Sequence, residues 1–93
     1  MSKVVELLSR PINFAIVQLP ERSFPGVVVQ GDTLNGLVNQ LTKMGMLLTS
    51  KQLGELSDEI EDMREQLGEA LAHYESVCAA RGIELPYPKS STV

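Results

Sequence analysis

The chain has no tryptophan, one histidine (His73) and one cysteine (Cys78). A lone thiol excludes an internal disulfide and a cysteine-based zinc knuckle, and it suits a reducing cytoplasm. The aromatics are Phe14, Phe24, Tyr74 and Tyr87 only, so a core has to be built from Leu, Val, Ile and Met. No apolar run approaches the roughly 18 residues that cross a bilayer. The stretch before Ser9 is too short for a signal-peptide apolar region and carries Glu6. Basic residues are sparse as well: 8 Lys and Arg stand against 12 Asp and Glu, a net charge of −4. A nucleic-acid binder needs a basic stripe, and none is present. The sequence also lacks a Ser/His/Asp set, a Cys/His pair or facing inward carboxylates, so general acid–base and nucleophilic chemistry have no actors. The expectation is a binding protein, not an enzyme, with no metal, no cofactor and no membrane or nucleic-acid partner.

What is present fits one small domain over residues 1–93, of α+β class. Ile12 to Leu19 and Phe24 to Gln30 are rich in β-branched and aromatic residues and are joined by a Pro-containing connection, which suggests an antiparallel hairpin within residues 1–31. Val4 to Leu8 fits a third short strand or a helical turn. Asp32 is a good helix N-cap. Leu34, Leu37, Val38, Leu41, Met44 and Leu48 then mark one face of a helix over 32–48, weakened by Gly36 and frayed or ended by Gly45. Leu53, Leu56, Ile60, Met63, Leu67, Ala70, Tyr74 and Val77 recur at alternating spacings of three and four, a heptad seam. They predict a long helix over 50–81. Thr49 with Gln52 makes a capping box, and Gly82 with Ile83 makes a glycine C-terminal stop. Residues 84–93, with Pro86 and Pro88, read as an extended tail. Two helices with a short connection pack antiparallel, and the hairpin supplies a second layer. The second helix is longer than the first, so its seam outruns its partner. Either the hairpin or another chain must cover the surplus.

Residues 55–75 carry eight carboxylates against Arg64 alone. Glu55, Asp58, Glu61, Asp62, Glu65 and Glu69 face away from the seam, either as a solvated outer face or as a docking surface for a basic partner. Like charges at i,i+4 repel there by a few tenths of a kcal/mol, roughly, per pair, which favours a use beyond solubility. Glu65, Glu69 and His73 lie at i, i+4 and i+8 like a row of metal ligands, but bundle metal sites project inward from facing helices, so a surface stripe is the better reading. Gly31-Asp32-Thr33-Leu34 resembles the nucleophile block of GDSL hydrolases with Thr for Ser, yet the single His lies elsewhere and the chain is too short for that fold. Cys78 has no base within a helical turn and reads as a buried thiol. Arg22 and Phe24 sit in the hairpin connection, either as a turn with an aromatic anchor or as a loop offering two favoured hot-spot residue types to a partner. Ser91-Thr92-Val93 resembles a PDZ ligand.

The stretch Arg22-Ser23-Phe24-Pro25-Gly26-Val27-Val28-Val29-Gln30-Gly31-Asp32, with Leu85-Pro86-Tyr87, resembles a family of short uncharacterised bacterial proteins carrying an R-x-[FY]-P-G-x-x-x-Q-G-D core. No activity comes with that resemblance. By analogy of size, charge and missing catalytic groups, such domains are similar to immunity proteins that neutralise toxins. The first expectation is therefore a cytoplasmic immunity or antitoxin-like protein that occludes a basic toxin domain. It would act through Glu55, Asp58, Glu61, Asp62, Glu65 and Glu69, with Arg22 and Phe24 as a second contact. The alternative is a homodimeric structural or regulatory module, assembled along a seam that includes Leu67, Tyr74 and Val77.

Overall fold

The computed structural model describes residues 4–88; the Ser91-Thr92-Val93 reading lies outside them. The order of elements is β1 (Glu6–Leu7), β2 (Ile16–Gln18), β3 (Gly26–Val27), α1 (Gly31–Thr49) and α2 (Leu53–Ala80), an α+β chain with the second helix longer. Two compact units divide it. Among the described residues, the first joins 4–28 to 72–88, and the second is 29–71. No helix among the described residues is long and apolar enough to cross a membrane.

In the first unit, the three strands form an antiparallel sheet in the order β1-β2-β3. Glu6 pairs with Gln18, Leu7 with Val17, Ile16 with Val27, and Val17 with Gly26. Val4 to Leu8 thus contributes a strand and not a helical turn. The ladder is short because its flanks turn away. Ile12 N–H bonds back to the Arg10 carbonyl at 2.7 Å, a tight turn around Pro11. Phe14 adopts a left-handed φ of 62°, which ends any strand through Ile12 to Phe14. The Ser9 hydroxyl takes the place of a ladder carbonyl, accepting the Ile16 N–H at 2.8 Å.

Strands of two or three residues do not hold a sheet by themselves. The last turns of α2 supply the missing layer. Ile16 and Cys78 are fully buried and Tyr74 and Leu8 nearly so, with Val77, Ile83, Leu85 and Tyr87 packed around them. The Tyr74 hydroxyl donates to the Pro25 carbonyl at 2.9 Å, and Arg81 Nε donates to the Leu8 carbonyl at 3.0 Å. The helix stops as its residues predict. Gly82 takes φ +66°, Ile83 N–H bonds to the Cys78 carbonyl at 2.8 Å, and Gly82 N–H to the Ala79 carbonyl at 3.2 Å. This is the two-bond glycine termination, and it turns Ile83 back onto the core.

In the second unit, α1 and residues 53–71 of α2 run antiparallel across the connection 50–52. Gln40 Nε2 donates to the Glu59 carbonyl at 3.2 Å, and Lys43 Nζ meets Glu59 Oε2 at 3.0 Å. Two expected caps are corrected. The N-cap of α1 is Gln30, with no side-chain cap bond. Asp32 lies inside the first turn, where the helix dipole favours its charge, and its carboxylate accepts the Thr33 N–H at 2.9 Å. Thr49 caps nothing at α2: it is the last residue of α1, and its hydroxyl bonds back to the Gly45 carbonyl at 3.0 Å. Gly45 neither frays nor ends α1, which runs four residues past it.

Candidate protein-interaction surfaces

Leu47 is the only residue of 29–71 that is buried. The reason lies in how the apolar residues are distributed around each helix. At about 100° per residue, Leu37, Gln40, Met44 and Leu47 form the row of α1 that faces α2. Leu34, Val38, Leu41 and Leu48 form a second row roughly a quarter-turn further round in the direction of rising residue number. On α2 the inward row is Leu56, Glu59, Met63 and Ala70, and the second row, displaced in the same sense, is Leu53, Ile60, Leu67 and Leu71. Two antiparallel helices whose second rows are displaced in the same sense turn both rows to the same side of the pair. The inward rows are half-buried or buried. The eight second-row residues are 44–61% exposed. They leave on the order of 800 Å² of aliphatic surface on one side, above the largest patch of a typical monomer at ~300–600 Å².

The opposite side of the pair is acidic. Glu55, Asp58, Glu61, Asp62, Glu65 and Glu69 are all exposed. Among the described residues none of the six makes a side-chain hydrogen bond or ion pair. Lys43 lies near two of them, though its main partner is Glu59. Its amine is raised above the ordinary lysine range by its hydrogen bond to Glu59 and that residue's charge, with Glu55 and Asp62 adding to it. The remaining carboxylates of the run are engaged: Glu59 with Lys43, and Glu75 accepting the Tyr87 hydroxyl at 3.1 Å.

The heptad seam therefore has two fates. Tyr74 and Val77 belong to the core of the first unit and so are taken up within the chain, whereas Leu67 is exposed. The surplus is one of width along the first half of α2, not of length at its end. Sequence reasoning missed Leu47 and the second row as a surface. The available signal was that the apolar stripe of each helix is two rows wide, while one neighbouring helix covers one row.

Arg22 and Phe24 lie in the loop between β2 and β3, both exposed. With Glu21, Ser23, Pro25 and Pro86 they line a cleft of about 500 Å³. Pro86 was not anticipated. Cys78 is buried as a free thiol. His73 is half-buried, with a shielded Nε2 that has no hydrogen-bond partner among the described residues. No group of three His, Cys, Asp or Glu among the described residues is placed to hold a metal ion.

With these surfaces in place, comparison with known proteins gives one positive result. Residues 1–87 match the model of DUF6959, a family of unknown function, and the chain belongs to that family. No curated protein and no solved structure matches it.

Proposed function

We propose that this chain is a non-catalytic self-association module, in which the apolar side of the helical pair closes against the same side of a second copy. The observation that carries the reading is the row pair Leu34, Val38, Leu41, Leu48 and Leu53, Ile60, Leu67, Leu71, left about half exposed on one side. Its extent, on the order of 800 Å², equals what each partner contributes to a standard-size interface. A two-fold pairing is self-complementary by construction, and four helices would then share one apolar interior. The acidic residues point away from that interior, so closure brings few carboxylates together.

Sedimentation of the full chain over about a hundredfold range of concentration tests this. The mass should rise from one chain to two, and the association should persist at high salt because it rests on apolar burial. Ile60→Asp should weaken it by at least about 100-fold, equivalent to about 2.7 kcal/mol, while helical content stays unchanged. A wild-type mass of one chain at every concentration would overturn the reading.

The immunity-like inhibitor is a second reading, favoured by the six exposed carboxylates without ion-pair partners. It places the chain in the cytoplasm, in keeping with the free thiol of Cys78, with a basic toxin domain as partner. Its signature is opposite in salt: a heterologous complex whose formation slows as ionic strength rises. Charge reversal at Asp58, Asp62 and Glu65 should abolish that complex and leave self-association intact.

A further inference from the structure

The cleft beside Arg22 is built from two walls, one fixed by Tyr74 of α2 and the other by Tyr87 of the returning segment after Gly82. The first is the loop from Glu21 to Pro25. The buried Tyr74 hydroxyl bonds the Pro25 carbonyl at 2.9 Å, and Gln18 Nε2 donates to the carbonyls of Arg22 at 2.7 Å and Leu19 at 3.2 Å. The second is Pro86, whose neighbours Leu85 and Tyr87 pack on the core, with Tyr87 also bonded to Glu75 at 3.1 Å. The loop opens on a reverse turn: the Arg22 N–H bonds the Leu19 carbonyl at 3.4 Å, with Pro20 and Glu21 at its centre and Glu21 at φ 66°.

The side chains facing this rigid frame are uncommitted. Arg22 makes no side-chain hydrogen bond or ion pair among the described residues, and the Phe24 ring is exposed. The volume of about 500 Å³ falls within the ~300–1,000 Å³ of small-ligand sites. A guanidinium fork matches a planar carboxylate with two parallel hydrogen bonds. The Ser23 hydroxyl offers one more donor. The exposed rings of Phe24 and Pro86 are apolar faces suited to an aromatic or prolyl body. The Glu21 carboxylate repels any anion in the cleft, and a doubly charged phosphate more than a singly charged carboxylate. We infer that this cleft binds a carboxylate carried on an aromatic or prolyl body, as at the end of a peptide or in a small aryl-substituted acid.

Amide shifts of the isotope-labelled full chain, titrated with N-acetylphenylalanine, test this. Saturable shifts should be confined to residues 21–26 and 85–87. Affinity should drop at least about tenfold for N-acetylphenylalaninamide, for phenyl phosphate and for Arg22→Gln, an exposed substitution that leaves the core intact. A tetrapeptide ending in phenylalanine distinguishes the two sources. Binding at least about tenfold tighter than the single residue assigns the cleft to peptide ends, and equal binding assigns it to a small acid. Absence of saturation, phosphate binding as tight as carboxylate, or full affinity in Arg22→Gln would overturn the inference. Each of these outcomes leaves the self-association reading standing, because every lining residue belongs to the first unit.

Discussion

Residues 4–28 with 72–88 bury Leu8, Ile16, Tyr74 and Cys78 to below a tenth of their surface, whereas residues 29–71 bury Leu47 alone. Both regions use α2, and both use its repeat of apolar residues at spacings of three and four. The difference is the covering layer. At Tyr74 and Cys78 the helix meets a sheet and a returning tail, which cover it broadly. From Leu53 to Leu71 it meets one helix, which covers a single row. The repeat decides which residues share a face, and the width of the neighbouring layer decides which of them leave water.

That contrast is most sharply broken by truncating one residue on each side of it. Ile16 is 0% exposed, so Ile16→Ala should cost about 3 kcal/mol, within the ~2–5 kcal/mol span for buried aliphatic truncations. Ile60 is 49% exposed. Ile60→Ala, in samples dilute enough to be monomeric, should cost under about 1 kcal/mol. Urea midpoints at unchanged slope measure both. Equal losses would mean that the two regions are covered alike, and would remove the ground for a second copy on the apolar side.

Glycine substitutions carry the comparison further, because they should differ in sign. Apart from the adjoining backbone, neither Gly82 nor Gly68 has an atom within 4 Å of where a Cβ would stand, so only the backbone matters. Gly82, at φ +66°, closes the helix. Alanine there should cost about 1 kcal/mol for the left-handed conformation. Gly68 lies within α2, and alanine there should stabilise by up to about 1 kcal/mol through helix propensity. Thermal unfolding of the two variants checks the pair. A stabilising Gly82→Ala would show that the helix end does not hold the core.

The stop at Gly82 and Ile83 was legible because a glycine followed by an apolar residue at a helix end has one economical geometry. The helices were legible for a similar reason, since spacings of three and four exclude a strand. The sheet was legible in kind but not in extent. Ile12 to Leu19 carries β-forming residues throughout, yet the turn at Pro11 and the left-handed Phe14 leave only Ile16–Gln18 in the ladder. Asp32 was expected at the cap and stands two residues past it, because a capping side chain and a first-turn carboxylate satisfy the same N–H groups. The candidate surfaces were the least legible. Tyr74 and Leu67 occupy equivalent heptad positions, and nothing in a single chain's spacing says that one meets a sheet and the other meets water.

The smallest expected effect concerns the two tyrosines of the first unit, and it appears only in alkali. Tyr87 and Tyr74 are the only tyrosines of the chain. Tyr87 is pushed up to about 12, first by partial burial and then by its hydrogen bond to the Glu75 carboxylate. Tyr74 is raised in the same direction, first by burial and then by Cys78. An unfolded tyrosine ionises near ~10. Because the folded values lie above the unfolded one, the stability these groups contribute is fully present below about pH 10. It is lost as the pH rises from there through about 12 for Tyr87. A titration followed by near-ultraviolet absorbance should therefore find less phenolate in the folded chain at about pH 10 than the roughly half ionisation expected in urea, with Tyr87 almost wholly un-ionised. The urea midpoint should fall over the same interval, and Tyr87→Phe should flatten part of that fall. Normal ionisation of both tyrosines in the folded chain would mean that the wall around Pro86 is loose. The cleft beside Arg22 would then lose one of its two fixed sides, while the apolar side of the helical pair would be untouched.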